Sequence, residues 1–179
     1  MALKSTIFKA DCQIADIDRS YYQPHNLTIA LHPSETEERM MIRLLAFILN
    51  AHEHLQFTKG LSTDDEPDIW QKSLTDDIAL WIDVGMPDEK RIRKASSRAD
   101  KVILYTYGGR NTVWWKQLEP KLKRFSNLTV INLPKSSTDQ LAMLVKRAMQ
   151  LQISLQDGQI WVSDDHHTAH IVPEVWLNY

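Results

Sequence analysis

The sequence predicts an α/β protein whose strands and helices alternate through the middle of the chain, with further β structure at both ends. Three observations carry this reading. Apolar runs of strand length at 102–107 and 128–133 are separated by segments with helical spacing. Strict two-residue alternation marks residues 5–15 and 26–32. Near the end, Asp157-Gly158 stands between the short stretches 153–156 and 159–163, the signal of a type I′ hairpin.

The two N-terminal segments read as a hairpin, with Leu27, Ile29 and Leu31 on one side of the second strand and Pro24-His25-Asn26 in the connection. Pro33-Ser34 then opens the clearest helix. Ser34 is a good N-cap, Glu37 takes the capping-box position, and Glu35 and Glu38 favour the positive end of the helix dipole. Met40, Met41, Leu44, Leu45, Phe47, Ile48, Leu49 and Ala51 make a broad apolar stripe, which predicts burial against a sheet. A strand over 55–58 leads through Lys59-Gly60-Leu61-Ser62 and an acidic loop to Pro67. A strand follows at 78–84, and Pro87, Asp88 and Glu89 then suit the first turn of a helix to about Ala99. The run 102–107 fits a central strand and Gly108-Gly109 ends it. Beyond lie a short helix at 112–118 carrying Trp114 and Trp115, a strand at 128–133, a helix at 138–149 and the final hairpin. No repeat or linker interrupts this order, so one domain is expected over 1–179.

Composition bounds the function. The 179 residues, 43% hydrophobic and 25% charged, suit a compact globular chain. A formal net charge of −2 supplies no general basic field, so any polyanion must be held by a local patch. The single cysteine, Cys12, excludes an internal disulfide, and its place in the alternation Phe8, Ala10, Cys12, Ile14 predicts a buried, inert thiol. No apolar run approaches the roughly 20 residues of a membrane span, and the start of the chain lacks a secretory pattern. A cytoplasmic location and no membrane partner are therefore expected, which leaves the sequons at Asn26 and Asn127 silent.

Chemistry concentrates in two segments, Glu66-Pro67-Asp68 and Trp81-Ile82-Asp83-Val84-Gly85. The strand period puts Ile78, Leu80, Ile82 and Val84 on one face and Ala79, Trp81, Asp83 and Gly85 on the other. Asp83 is thus pushed onto a semi-apolar face, where a carboxylate needs a cation, a hydrogen-bond donor or water. Pro67 suits a strand start, leaving Asp68 at the mouth of the next strand. A hairpin through Leu74-Thr75-Asp76-Asp77 lets both acids reach one Mg²⁺. The structural alternative is a solvated turn acid and a strand-end acid paired with a nearby Arg.

The element order, with Glu38 on the first helix, Pro67-Asp68 on the second strand and Asp83 on the third, resembles the α-β-β-β-α-β core of the PD-(D/E)XK nuclease superfamily. The segments His32-Pro33-Ser34-Glu35, Glu38-Arg39-Met40-Met41, Phe57-Thr58-Lys59-Gly60-Leu61, Asp65-Glu66-Pro67, Gly85-Met86-Pro87-Asp88-Glu89 and Asp157-Gly158 are similar to those of the bacterial YaeQ family through nearly the whole chain. The resemblance implies a nuclease-like core at about 34–149, with terminal hairpins forming a second small sheet. It also implies a catalytic set of Glu38, Asp68, Asp83 and Lys94, with Asp68, Asp83 and the Val84 carbonyl holding Mg²⁺, for which Mn²⁺ substitutes. The superfamily's lysine position is occupied here by Gly85, and the resemblance points to Lys94 on the following helix as the replacement. On a helical wheel Ile92, Ala95, Ser96 and Ala99 form the apolar face, Lys94 projects nearly opposite, and Arg91 and Arg98 lie closer to the boundary. A solvated basic face is the alternative for all three.

Other clusters read as structural. Asp164-Asp165-His166-His167 with His170 suits a polar hairpin loop better than a metal site, because neighbours on a strand point oppositely. His52-Glu53-His54 lacks the i, i+4 histidines of a helical zinc site, and Tyr107-Gly108-Gly109-Arg110 lacks the lysine of a phosphate-binding P-loop. Three readings result: a Mg²⁺-dependent nuclease, a non-catalytic nucleic-acid-binding or transcription-associated protein that keeps the nuclease fold, and a protein-interaction module.

Overall fold

The computed structural model describes residues 4–179. Along the chain run β1 (Thr6–Asp16), β2 (Tyr21–Leu31), α1 (Glu37–Leu49), β3 (Leu55–Phe57), β4 (Ile69–Lys72), β5 (Ile78–Val84) and α2 (Glu89–Arg98). They are followed by β6 (Ala99–Tyr107), α3 (Asn111–Leu122), β7 (Leu128–Leu133), α4 (Lys135–Ala142), β8 (Ala148–Gln156), β9 (Gln159–Ser163), β10 (Thr168–Ile171) and β11 (Glu174–Leu177). Two compact units divide the chain, one of Met1–Leu44 with Pro134–Pro173, the other of Leu45–Leu133 with Glu174–Tyr179.

The first unit is built on a five-stranded sheet in the order β10-β9-β8-β1-β2. Only the β1–β8 pairing is parallel. Alternation places Phe8, Ala10, Cys12 and Ile14 on the buried face beside Met149, Leu151, Ile153 and Leu155. Burial first, and the charge of Asp11 second, push the Cys12 thiol up to about 12, so it is inert at neutral pH.

Three local expectations are corrected here. Pro24-His25-Asn26 lies inside β2, and the hairpin turns earlier, with Ser20 at a φ of 53°. Lys9 N bonds towards β8 through the Arg147 carbonyl, so its partner Thr28, and by alternation Pro24, direct their backbone groups out of the sheet edge. A proline there loses no ladder bond and blunts an 11-residue edge strand.

The first helix starts at Glu37 rather than behind Ser34. Thr36 supplies the cap, its hydroxyl accepting from Arg39 N at 3.1 Å, while Ser34 Oγ lies 2.7 Å from His32 Nδ1. Glu35 is drawn inwards by Arg43 on α1, with two bonds of 2.7 Å, and by Arg39 at 2.6 Å, while Pro33-Ser34 form a turn closed by Glu35 N donating to the His32 carbonyl at 2.9 Å.

The helix expected at 138–149 spans only Lys135–Ala142, and a strand begins at Ala148. Leu141 and Leu144 continue a helical spacing, but the two-residue alternation from Met149 pairs with β1, and that long-range pairing decides the boundary.

The second unit carries a six-stranded sheet in the order β11-β7-β6-β5-β4-β3. β3, β4 and β5 form an antiparallel meander, whereas β5, β6 and β7 run parallel and are linked through α2 and α3. Trp81, Val102, Leu104, Leu128 and Val130 pack with Ile92, Ala95 and Leu122 of the two helices in one apolar cluster. The carboxyl ends of β5, β6 and β7 therefore lie on one edge, and the loops into α2 and α3 leave from it. That edge is where open α/β sheets place their ligands.

Candidate functional site

Pro67 ends the acidic loop and Asp68 enters β4, whose Ile69 stands opposite Ile82 of β5. This register sets Asp68 against Asp83. Asp68 N donates to the Ile82 carbonyl at 3.1 Å and to Asp83 Oδ1 at 3.3 Å, while Val84 N donates to Asp68 Oδ2 at 2.8 Å. The two carboxylates expected from the sequence are thus brought together, 4% and 3% exposed. The loop is fitted closely around them. Thr58 Oγ1 donates to the Pro67 carbonyl and accepts from Gly60 N at 3.0 Å. Gly60, at a φ of 47°, presses so near that a Cβ would stand 3.0 Å from Asp68 Oδ1.

The cation that meets this pair is Arg91. Asp88 caps α2 by accepting from Arg91 N at 2.8 Å, and the same residue's side chain then lies beside the buried Ile92 and reaches back to β5. Nε donates to Asp83 Oδ2 at 2.9 Å and Nη2 to Oδ1 at 3.1 Å, a two-pronged pair. Nη2 also reaches the Glu66 carbonyl at 2.9 Å and Nη1 the Asp64 carbonyl at 3.3 Å. Burial works against the charge on Arg91, but the Asp83 bonds and the charges of Asp83, Asp68 and Asp64 outweigh it and raise its pKa. Trp81 Nε1 adds a 3.1 Å bond to Asp83 Oδ2.

Lys94 does not face the carboxylate pair. It donates to Asp65 Oδ1 at 2.7 Å and the Asp64 carbonyl at 3.4 Å, and holds the Asp65 carboxyl below the ordinary range. Arg98 donates to the Asp65 carbonyl at 2.9 Å and lies over the Trp81 ring at 5.4 Å. Arg91, Lys94 and Arg98 share one helix face by their spacing and clamp the loop 64–66. The basic face read as solvated is therefore a clamp. Arg91, Lys94 and the exposed Lys90 line a cleft of about 380 Å³ with Asp64 and Asp88.

Glu38 lies in the first unit, half-buried on the opening turn of α1, where its charge contributes to raising the pKa of Lys135 behind the larger effect of Asp139. Gly85, where the nuclease resemblance led to the expectation of a lysine, has a φ of 120° and open space where a side chain would begin. The strand-end acid paired with a nearby Arg, the structural alternative read from the sequence, is what Asp83 shows, and which arginine takes it was the part missed. Its signal was there: basic residues at i, i+3 and i+7 of one helix against an acidic run that must fold back over them.

The remaining clusters make local contacts. Asp164 Oδ1 accepts from the backbone of His166 and His167, which, with weaker help from Lys146, lowers its carboxyl to about 2. His170 stacks on Trp161 with ring centroids 5.0 Å apart. Among the described residues no three His, Cys, Asp or Glu side chains form a metal-holding group.

Two carboxylates with water are enough for Mg²⁺ in principle, so the test is whether their lone pairs are available. Each oxygen of Asp83 already receives two donors, Arg91 and Asp68 N at Oδ1, Arg91 and Trp81 at Oδ2. In this arrangement the residues do not fit a divalent ion beside Arg91; ion and guanidinium compete for the same oxygens.

The family model described as YaeQ protein matches residues 1–173. The uncharacterized protein YaeQ of Escherichia coli (strain K12) is 46% identical over 177 residues, covering 98% of each chain. That of Salmonella typhi is 47% identical with the same coverage. The crystal structure of YaeQ protein from Xanthomonas axonopodis pv. citri matches with a TM-score of 0.95 at 44% identity, covering 98% of this chain and 99% of that one. The Pseudomonas syringae YaeQ structure gives 0.93 at 35% identity, covering 98% and 97%. Matched along its length in both sequence and fold, the chain belongs to the YaeQ family.

Proposed function

We propose that the second unit is a nuclease-like unit of PD-(D/E)XK type that binds nucleic acid by its phosphates, with Asp68 and Asp83 holding Arg91 at the edge of the α2 cleft. The observation that carries this reading is the two-pronged Asp83–Arg91 pair beside a cleft lined by two further cations. The order of three antiparallel strands, α2 and a parallel β6 supports the kinship.

Arg91 has five N–H donors, and four bonds to Asp83, Glu66 and Asp64 use four of them. The fifth, on Nη1, remains for an anion. Lys90 and Lys94 add charge, which Asp64 and Asp88 partly cancel, so binding is expected to be weak and sharply salt-dependent. Asp83 acts as a positioning residue: its two bonds fix the plane of the guanidinium.

A second reading is Mg²⁺-dependent phosphodiester hydrolysis, favoured by the two buried acids adjacent across β4 and β5. It requires the ion to take Asp83 from Arg91.

Fluorescence anisotropy with labelled single- and double-stranded DNA and RNA, first in EDTA and then in Mg²⁺ or Mn²⁺, separates the readings. Binding in EDTA that Asp83→Asn weakens without abolishing and Arg91→Gln loses supports the metal-free site. Binding or cleavage that appears only with metal and vanishes in Asp83→Asn supports hydrolysis. Neither result leaves the protein-interaction reading.

A further inference from the structure

We propose a phosphate subsite at the amino end of α3, built from the Gly108-Gly109-Arg110 loop, the free N–H groups of the first helical turn and the Thr106 hydroxyl. As a site for inorganic phosphate it stands on its own geometry, and as a second phosphate position for nucleic acid it rests on the reading above.

The loop follows β6 on the carboxyl edge of the parallel strands, where backbone N–H groups of a 12-residue helix point outwards. The two helices that leave this edge differ. α2 has its amino end filled by the Asp88 carboxylate. At α3 the capping position is Arg110, which forms no side-chain cap. Among the described residues, the N–H groups of Thr112 and Val113 have no acceptor, and the exposed Arg110 guanidinium has no partner. Gly108 has a φ of 90°, and neither it nor Gly109 has a heavy atom within 4 Å of where a Cβ would stand, so an anion can approach the backbone.

The independent observation is Thr106. It is 0% exposed, and its Oγ1 has no hydrogen-bond partner among the described residues. A buried hydroxyl left so is costly and calls for an explanation. Its direction follows from register. Thr106 stands opposite Asn132 of β7, so the two side chains share a face, and Asn132 Oδ1 accepts from Nδ2 of Asn111, the first residue of α3, at 2.6 Å. Thr106 therefore shares the sheet face on which Asn132 meets the opening turn of α3. Asn132 Nδ2 is held by Glu174 Oε2 at 2.9 Å, which fixes the amide so that it turns its oxygen to Asn111.

The neighbouring loops brace the same edge. Trp114 Nε1 donates to the Pro87 carbonyl at 2.8 Å, tying the first turn of α3 to the loop that enters α2. Asp83 stands opposite Leu104, so Thr106 lies two residues beyond the carboxylate pair along β6, roughly 7 Å at the rise of a strand. Gly85, just past the end of β5 with its N–H donating to the Tyr105 carbonyl at 2.9 Å, adds no side chain to the space.

The test is a titration of the full chain with inorganic phosphate, followed by backbone amide NMR. Saturable shifts at Gly109, Arg110, Thr112 and Val113 are expected, weakened about tenfold in Arg110→Gln. Thr106→Val preserves shape and removes the orphan hydroxyl, so it should melt no lower than wild type and yet bind phosphate more weakly. Absence of saturable shifts at those amides, or unchanged affinity in Thr106→Val, overturns the subsite. Saturation by phosphate without any oligonucleotide binding upholds the subsite and removes the nucleic-acid reading. Oligonucleotide binding with those amides silent does the reverse.

Discussion

Each unit contains a buried carboxylate gripped on both oxygens by an arginine, and the two pairs are built to different ends. In the first unit Glu35 and Arg43 have side chains 1% and 8% exposed, and Arg43 spends a further donor on the Ala30 carbonyl of the edge strand. Arg39 closes the set. In the second unit Asp83 is as deeply buried, but Arg91 is 26% exposed, lies beside a second carboxylate and borders a cleft. The first pair fastens the start of α1 to a strand. The second holds a charge at a surface where an anion can reach it. Ion pairing alone therefore does not mark a site; what surrounds the arginine does.

This difference can be broken by experiment. Arg43→Leu removes both bonds of Arg43 to Glu35, leaving Arg39 beside the buried carboxylate, and is expected to cost about 3 kcal/mol, read from denaturant midpoints. Arg91→Gln keeps an amide near Asp83 and should cost roughly 1 kcal/mol, because its guanidinium is partly hydrated, while abolishing oligonucleotide binding. Equal stability losses with unchanged binding would erase the distinction.

The acid response sharpens it. Burial alone would raise the Glu35 carboxyl, but the bonds and charges of Arg43, then Arg39, bring it below the ordinary 4.5. A depressed folded-state value stabilises the fold at pH above the unfolded-state pKa, and that contribution is lost as pH falls through the folded-state value. Glu35→Gln should therefore flatten the loss of stability below about pH 4.5, as followed by urea melts across pH. The smallest effect belongs to Lys94→Ala. Its ion pair with the fully exposed Asp65 adds little to stability, so Tm should hold, while the salt slope of oligonucleotide binding falls by about one.

Much of the second unit was legible in the sequence because its signals are local. Proline before Asp68, alternation through Asp83, Asp88 at a helix start and apolar runs in β6 and β7 each fix a short stretch, and together they bring Asp68 beside Asp83. The errors fell where distant partners decide. Ser34 is as good a cap as Thr36 until Arg43 draws Glu35 inwards, and Pro24 reads as a turn until its outward-facing edge position is known. Met149 carries both a helical and a strand period, and β1 chooses between them. Arg91 and Arg98 both lay near the boundary of the apolar helix face, and the fold of the loop 64–66 set Arg91 against Asp83.

The central claim is that Arg91, not a divalent ion, is the resident cation of Asp83 and the group that meets phosphate. Its most direct test is an oligonucleotide titration in EDTA at low salt with wild type and Arg91→Gln, repeated after adding Mg²⁺. The expected result is salt-sensitive binding without metal that Arg91→Gln abolishes and Mg²⁺ does not improve. Binding that begins only when Mg²⁺ is added, or that survives Arg91→Gln, would contradict it.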